Sequence, residues 1–297
     1  MLNEIMQNEE LRNRRLVDLY EEGILELGDE VPYAHREESY VSLGEKNGFG
    51  NQEFSTKGLD MKWQAIGVEN IDGNKCLKLI AKDPVFSEFV LKGARGCVYG
   101  VNEMHRICSL FATGDGALKG RSITIEDVNQ LLEVVVDKKR RIVYQKGYKE
   151  NICHLNDAFL KEMFFYNIHT PESYLQRDET RTRKKITGTY YRYYINSIIG
   201  KEKEKNIVCR NTSYFLASLG TAVITALACA SFGPGCVYYY GVVAASTGLF
   251  NSNGLLYSFG NCDVDASRFA VRPILYLKSR ETFSSLLERK DYKSNKS

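Results

Sequence analysis

Two neighbouring segments of the chain alternate apolar and polar residues, which is the pattern of half-buried β-strands. They are MKWQAIGVE at 61–69 and KCLKLIAKD at 75–83. The sequence IDGN at 71–74 lies between them and contains an Asp-Gly pair, which favours a tight two-residue turn. The pattern therefore predicts a β-hairpin with Trp63 on its first strand.

Helical periodicity occurs in three places. At residues 2–22, apolar side chains recur at helical spacing among charged ones. Residues 99–111 predict a second helix, and residues 124–136 predict a third that begins with a capping box of Thr124 and Asp127. Because the first helix is so polar, its apolar stripe needs a partner surface, which is the domain's own flank, a second copy or another protein.

The chain has no charged residue from Asn211 to Cys262, although 26% of all its residues are charged. The first half, Phe215–Ala230, is too short and too rich in Ser, Gly and Thr to cross a bilayer alone. The second half is β-branched and aromatic, and the remainder is rich in turn residues. Short strands joined by neutral loops are the favoured structure, and a transmembrane hairpin over 215–245 is the alternative.

The charged, Tyr-rich region 137–212 contains two candidate short strands or loops, RRIVYQ and TYYRYYINS. Near the C-terminus, RFAVRPILYLKS at 268–279 predicts another strand. After Arg280 we expect a short helix at most and then a flexible tail.

Composition and charge exclude several classes of protein. The net charge of +3 is too small to predict a nucleic acid or an anionic membrane as a partner. The N-terminus is polar from residue 3 and lacks the apolar core of a signal peptide, which predicts synthesis in a cytoplasm. The eight cysteines form no CxxC pair, so we expect reduced thiols, no metal site and no cofactor.

No catalytic group of residues follows from the spacing of the reactive side chains. His105 and Cys108 are three residues apart, and core packing is the simpler role for such a pair. The glycine-containing segments KNGFGN at 46–51 and GDGALKGRS at 114–122 lack the spacing of a phosphate-binding loop. We therefore expect a protein without enzymatic activity.

The nineteen tyrosines favour a role in recognition, because Tyr, Ser, Asn and Gly build adaptable binding surfaces at low entropic cost. They cluster at 190–194 and 238–240. A core position with the hydroxyl at the rim is the alternative for each of them. The predicted ligand-binding residues lie in the second half of the uncharged region: Tyr238, Tyr239, Tyr240, Asn251, Asn253, Tyr257 and Asn261.

Short motifs follow one another in a specific order between residues 28 and 279. They are GD-V-Y (28–33), W-x-x-x-G-V (63–68), L-x-G-A-x-G (91–96), R-S-I-x-I-E-D (121–127), SYFLAS (213–218), ASFG (230–233) and VRPILYLKS (271–279). This series resembles an uncharacterised protein family of gut Firmicutes and their phages, whose C-terminal half has the form YWLAS, FGVR and GVRPVVSLKS. Here Phe215 replaces the tryptophan of that family, and Pro234 follows Gly233, so its FGV arginine is absent.

The C-terminal half also resembles the C-type-lectin-like fold of relatives of formylglycine-generating enzymes. This resemblance implies an α+β domain with short strands, two main helices and long loops, preceded by an N-terminal amphipathic helix. In such a domain, 214–218 and 271–277 would be core strands, and the neutral stretch between them would include a displayed surface. The implied organisation is a docking arm at 1–27, a lectin-like domain at 28–280 with parts 28–136, 137–212 and 213–280, and a flexible tail at 281–297.

The resemblance implies a function as a phage virion surface protein, in head decoration, a fibre or tail attachment, that binds a host glycan or protein. The protein would be a homo-oligomer in the virion and would contact other virion proteins through the N-terminal helix and residues 219–230. It would have no membrane span and no nucleic-acid partner. Two alternatives remain, a binding protein diversified by a retroelement and a formylglycine-generating-type enzyme that uses Cys229, Cys236 or Cys262.

Overall fold

The computed structural model describes residues 2–35, 39–44, 51–91, 102–114, 116–137, 142–154, 163–166, 183–186, 199–208, 210, 212, 214–222, 239–245, 267–268 and 270–294. The helices in these ranges are α1 (Leu2–Gln7), α2 (Glu9–Asn13), α3 (Leu16–Glu21), α4 (102–109), α5 (Ile125–Leu131), α6 (Glu202–Val208) and α7 (Phe283–Ser294).

The strands in these ranges are mostly short. They are β1 (Glu30–Val31), β2 (Tyr40–Ser42), β3 (Glu53–Ser55), β4 (Trp63–Ile71), β5 (Asn74–Ala81), β6 (Val90–Leu91), β7 (Ala117–Ser122), β8 (Val134–Asp137), β9 (Ile142–Gln145), β10 (Tyr148–His154), β11 (Met163–Tyr166), β12 (Arg183–Ile186), β13 (Tyr214–Ala222), β14 (Tyr239–Ala245), β15 (Ser267–Arg268) and β16 (Pro273–Leu277). With helices and antiparallel sheets, the protein is of the α+β class.

A five-stranded antiparallel sheet in the order β1-β4-β5-β16-β7 forms the centre of the fold. The predicted hairpin is confirmed, because β4 pairs with β5 from Trp63 opposite Ala81 to Ile71 opposite Asn74. The two residues of its turn, Asp72 and Gly73, have φ angles of 51° and 81°. Both angles lie in the left-handed region that a type I′ turn requires, which explains the value of the Asp-Gly pair.

The predicted C-terminal strand is also confirmed, and it is the most buried strand of this sheet. All five residues of β16 are buried. Ile274 and Tyr276 point to one face of the sheet, while Leu275 and Leu277 point to the other. Both faces of the sheet are therefore covered by other elements.

The N-terminal and C-terminal helices cover one face of the sheet. The single helix predicted over residues 2–22 is instead three short ones, and the side chain of Asn8 caps α2 by accepting hydrogen bonds from two backbone amides. The buried side chains that these helices contribute to the core around Trp63 include Ile5, Leu16, Val17, Leu19, Phe283 and Leu286. The apolar stripe therefore packs on the domain's own flank, and residues expected in the flexible tail form α7.

Helices α5 and α6 and strand β13 cover the opposite face. Thr124 and Asp127 form the predicted capping box at the start of α5. The helix ends earlier than predicted, because Glu133 has a φ of 54° and residues 134–137 continue as β8. The run of β-branched valines at 134–136 favours a strand over a further helical turn.

The predicted helix over 99–111 is confirmed by α4 and a following 3-10 turn, Leu110–Ala112. Met104 and Cys108 lie on its buried face, next to Phe54 and Phe89. In the uncharged region, β13 pairs with β14 in antiparallel orientation, as expected for strands in this part of the chain. Within the part of the chain that is described, no helix is both long and apolar enough to cross a bilayer.

Gly120 on β7 packs so closely against its neighbours that a methyl group cannot be added without movement. An added Cβ would lie 2.9 Å from the carbonyl oxygen of Cys108 and 3.2 Å from the Cβ of Ala112. We expect Gly120→Ala to lower the free energy of unfolding by about 1–3 kcal/mol, measured by urea denaturation. Gly44→Ala is the matched control, because an added Cβ there meets nothing within 4 Å; equal effects of the two substitutions would contradict the prediction.

Candidate functional site

The predicted ligand-binding residues fall mostly outside the described residues. Tyr239 and Tyr240 lie in β14, opposite Ala222 and Thr221 of β13. The other predicted residues, Tyr238, Asn251, Asn253, Tyr257 and Asn261, lie outside the described ranges, as do Cys229, Cys236 and Cys262. Of the candidate site, the structure therefore describes Tyr239, Tyr240 and the points where the uncharged region joins the core, which we call its base.

At this base, the two ends of the segment 215–269 meet. Tyr214 and Ala270 form a parallel β-bridge, so positions 214 and 270 of the chain are neighbours. The amide of Ala217 donates to the carbonyl of Ile123 at 2.8 Å, and Arg268 pairs with Val90. We call the segment 215–269 the display segment.

A buried arginine next to this bridge joins four parts of the chain. Arg272 is 0% exposed, and its Nε donates to the carbonyl of Ala81 at 3.0 Å. Its Nη1 donates to the carbonyl of Val208 at 3.2 Å and to the hydroxyl of Tyr214 at 3.1 Å, and its Nη2 donates to the carbonyl of Lys82 at 3.3 Å. Arg272 therefore connects the residue before β16 to the end of β5, to α6 and to Tyr214, the residue before the display segment.

The guanidinium of Arg272 has no carboxylate at ion-pair distance among the described residues. Burial lowers its pKa, and Tyr214 opposes that shift through its hydroxyl. The guanidinium carbon also lies 5.1 Å from the centre of the Tyr214 ring, in cation–π geometry. Tyr214 in turn donates from its hydroxyl to the carbonyl of Val208 at 2.6 Å, so neutral dipoles stabilise this charge.

A buried glutamine connects two positions of the Tyr-rich middle region that are far apart in the sequence. Gln145, at the end of β9, is 2% exposed. Its amide donates to the carbonyl of Ile199 at 2.6 Å, and the amide of Ile199 donates back to its side-chain oxygen at 2.8 Å. Positions 145 and 199 of the chain are therefore neighbours in the fold.

Sequence reasoning placed Arg272 in a strand but missed its role in holding the base of the display segment. The available signal was one charged residue within the apolar run FAVRPILYL. An unpaired charge is rarely buried, so its position among apolar neighbours indicates specific hydrogen-bond partners. No comparable local signal marked Gln145.

A second buried polar cluster lies on the α5 face of the sheet. Asp127 accepts two hydrogen bonds from Arg121, at 2.6 and 2.7 Å, and its Oδ1 lies 2.7 Å from the ammonium of Lys78. Lys78 also pairs with Glu69 at 2.9 Å, and the hydroxyl of Tyr276 accepts from Nε of Arg121 at 3.0 Å. The four charged groups of this cluster sum to zero, which makes their burial tolerable.

Three groups of the cluster, Asp127, Arg121 and Tyr276, have pKa values that are shifted from the ordinary ones. Burial alone would raise the pKa of Asp127, but hydrogen bonds and charge from Arg121 and Lys78 outweigh it and lower that pKa to about 2. Burial lowers the pKa of Arg121, but Asp127 and Tyr276 outweigh it and raise it above the ordinary value. For Tyr276, burial raises the pKa. Near neutral pH none of these three groups exchanges a proton easily, so the cluster suits a structural role better than acid–base chemistry.

The His105–Cys108 pair has the core role that its spacing favoured. Nδ1 of His105 accepts a hydrogen bond from the amide of Ser122 at 3.2 Å, and burial together with the charge of Arg121 lowers its pKa. Cys108 is 0% exposed, and burial raises the pKa of its thiol. A protonated, buried thiol is a poor nucleophile, so this pair does not form a catalytic dyad.

Two cysteines with described side-chain environments, Cys76 and Cys108, are reduced and buried, as expected for them. Across the described ranges, no group of three His, Cys, Asp or Glu side chains could hold a metal ion.

The chain was compared with protein families, with curated proteins and with solved structures. No family model matches the chain, no curated protein matches it, and no solved structure matches it.

Proposed function

We propose that this protein is a non-enzymatic phage virion surface protein whose C-type-lectin-like domain binds a host glycan or protein. In this proposal, the predicted ligand-binding residues of the display segment, from Tyr238 to Asn261, face the ligand. The observation that carries this proposal is the bridge between Tyr214 and Ala270, which brings both ends of the segment together on a buried core.

Recognition sites are commonly loops that a rigid scaffold positions. Here the scaffold is a sheet covered on both faces, and Arg272 fixes the base of the segment through four hydrogen-bond partners. The segment is free of charged residues up to Cys262 and rich in Tyr, Asn, Ser and Gly. These residues suit the polar, uncharged surfaces of sugars and adapt to them at low entropic cost.

The lectin-like assignment has support in the burial of the strands that it assigns to the core. Among the described residues, three helices, α4, α5 and α6, lie between the β4–β5 hairpin and the C-terminal strand, where the resemblance implies two main helices. Tyr214, Leu216 and Ala217 are buried, as are residues 271–277, which are the positions that the resemblance assigns to core strands.

The proposal also extends to the assembly. In a homo-oligomeric virion component, contacts with other virion proteins are made by residues 219–230 and by the exposed faces of the N-terminal helices. The apolar side chains of these helices are not available, because Ile5, Leu16 and Leu19 are buried against the protein's own sheet.

Labelled protein should bind saturably to gut Firmicutes cells, and a Tyr239→Ser, Tyr240→Ser variant should bind about tenfold more weakly, because interface tyrosines often carry a large share of the affinity. Tyr40→Ser is the matched control, since Tyr40 is 74% exposed on β2, outside the display segment. The measurement is flow cytometry over a concentration series, with melting temperatures to show that each variant folds. Absence of the protein from purified virions, together with no binding to any host cell, would refute the proposal.

A further inference from the structure

A hydrogen bond between a backbone amide and a histidine joins helix α4 to the edge strand β7. The amide of Ser122, at the end of β7, donates to Nδ1 of His105 on α4 at 3.2 Å. Ser122 is 0% exposed, and His105 is partly exposed. The bond requires a neutral imidazole, because Nδ1 of an imidazolium carries a proton and no longer accepts. Histidine has an ordinary pKa near neutrality, so this bond is open to control by pH.

Charged groups of the neighbouring elements oppose a proton on His105. Burial lowers the pKa of His105, and the charge of Arg121 on β7 lowers it further. Asp127 of α5 acts in the opposite direction, and Lys119 of β7 adds to the lowering. The carboxylate of Asp127 already accepts from Arg121 at 2.6 Å and lies 2.7 Å from the ammonium of Lys78. The folded protein therefore favours the neutral imidazole that the bond to Ser122 requires.

The charged side chains of α4 itself do not compensate a proton on His105. Glu103 is two positions from His105, so it lies on another side of the helix. It pairs with Arg106 of the same helix at 3.3 Å. Protonation of His105 would therefore place a third positive charge near Arg121 and Lys119.

The same end of β7 also holds the base of the display segment. The carbonyl of Ile123, the residue after Ser122, accepts from the amide of Ala217 at 2.8 Å. Ala217 also packs in one buried cluster with Met104 and Ile107 of α4. The contact between α4 and β7 is therefore adjacent to the start of the display segment.

We propose that the hydrogen bond between His105 and Ser122 is a pH-sensitive contact, which holds α4 on β7 near neutral pH and releases it in mild acid. When the imidazole takes up a proton, its Nδ1–H faces the N–H of Ser122, and the buried amide loses its acceptor. This release loosens the base of the display segment through Ile123 and Ala217. The inference does not depend on the proposed host-binding function.

The direction of the effect follows from proton binding. Because the pKa of His105 in the folded protein lies below its ordinary value of 6.5, the open state binds a proton first as the pH falls. The stabilisation by this contact is therefore complete above that ordinary value, and it is lost as the pH falls through and below it.

Amide hydrogen exchange of the intact protein measures the release. Between about pH 7.5 and about pH 5.5, the protection factor of the Ser122 amide should fall about tenfold, as expected for a buried amide that loses its acceptor. The protection of the Ala217 amide should fall over the same range, whereas amides between β4 and β5 should keep theirs. Asp127, with a pKa of about 2, stays ionised throughout and does not contribute.

His105→Asn removes the titration and keeps an acceptor, because the Oδ1 of asparagine takes the place of Nδ1. In this variant, the protection factor of the Ser122 amide should be the same at both pH values. His154→Asn is the matched control, since it replaces another histidine, in β10 of a different sheet, and should keep the pH dependence of the wild type. The proposal fails if protection of Ser122 in the wild type is independent of pH, or if it falls equally in His105→Asn.

A pH titration of the wild-type protein, followed by NMR, tests the contact without any substitution. The imidazole signals of His105 and the amide signal of Ser122 should shift with one midpoint, below the ordinary histidine pKa of 6.5. Titration of His105 with no change at the Ser122 amide would equally overturn the proposal.

Discussion

Replacing Arg272 by methionine should lower the free energy of unfolding by about 2–4 kcal/mol. Methionine fills much of the same volume but donates no hydrogen bond. The carbonyls of Ala81 and Lys82 then lose the donor that Arg272 supplies, and the carbonyl of Val208 keeps only the hydroxyl of Tyr214. Each buried acceptor that is left unpaired costs about 1–3 kcal/mol, which exceeds what is regained by no longer burying a charge.

Tyr214→Phe is the control that separates the charge from its hydroxyl partner. It removes one acceptor for Arg272 and one donor to Val208, but it keeps the ring under the guanidinium. We expect a loss of about 1 kcal/mol, smaller than that of Arg272→Met. Both losses in the free energy of unfolding are to be measured by urea denaturation at neutral pH.

Amide hydrogen exchange gives a second test of whether Arg272 stabilises the surrounding backbone. In Arg272→Met, the amides of Ala217 and Val271 should exchange faster than in the wild type, because they bond next to the anchor, to Ile123 and Val85. Amides in the β4–β5 turn region should change much less. A variant as stable as the wild type would show that Arg272 is not what holds the base of the display segment.

The second large effect is expected from Asp127→Asn, which should destabilise the protein by about 3–5 kcal/mol. The substitution removes the anion that lies between Arg121 and Lys78, whose side chains are 18% and 5% exposed. Only Glu69 remains as a charged partner, and its side chain is 37% exposed. Removing one partner from a buried ion pair leaves the other charge uncompensated, which is the costly case.

Asp127 also caps α5, so the capping contribution must be measured separately. Asparagine retains an oxygen that accepts from the Thr124 amide, whereas Thr124→Ala removes only the hydroxyl of the capping box. Thr124→Ala should cost about 1 kcal/mol. The difference between the two variants isolates the electrostatic part, and equal losses would contradict the assignment.

The same carboxylate predicts how stability depends on pH. Its pKa in the folded protein is about 2, below the value of the unfolded chain. The unfolded state therefore binds a proton first as the pH falls, and the stabilisation by Asp127, about 2 kcal/mol, is complete above about pH 5 and is lost between about pH 4 and pH 2. Asp127→Asn should flatten this part of the curve of unfolding free energy against pH.

Local chemistry explains which elements could be predicted from the sequence. The hairpin followed from alternation and from an Asp-Gly pair whose two residues adopt the left-handed angles of its turn. The start of α5 followed from Thr124 and Asp127, which are only three residues apart. The N-terminal helix was predicted too long, because its periodicity did not show the breaks at Asn8 and Arg14.

The candidate site was less accessible to prediction, because its partners are far apart in the chain. Tyrosines of the uncharged region indicated recognition, but nothing in their spacing showed that Tyr214 would meet Ala270. The core around Trp63 likewise combines side chains from both ends of the chain, such as Leu16 and Phe283.

The pattern of residues alone determined that β4, β5 and β16 are strands and that 215–245 is a poor membrane segment, because these properties depend on neighbours within a few positions. Only the tertiary structure decided that β16 lies between β5 and β7, in the middle of the sheet. It also decided that Arg272 is a buried anchor, since the carbonyls that make its burial possible belong to Ala81 and Val208, 191 and 64 positions away. Burial of a charge depends on partners that only the folded chain brings together.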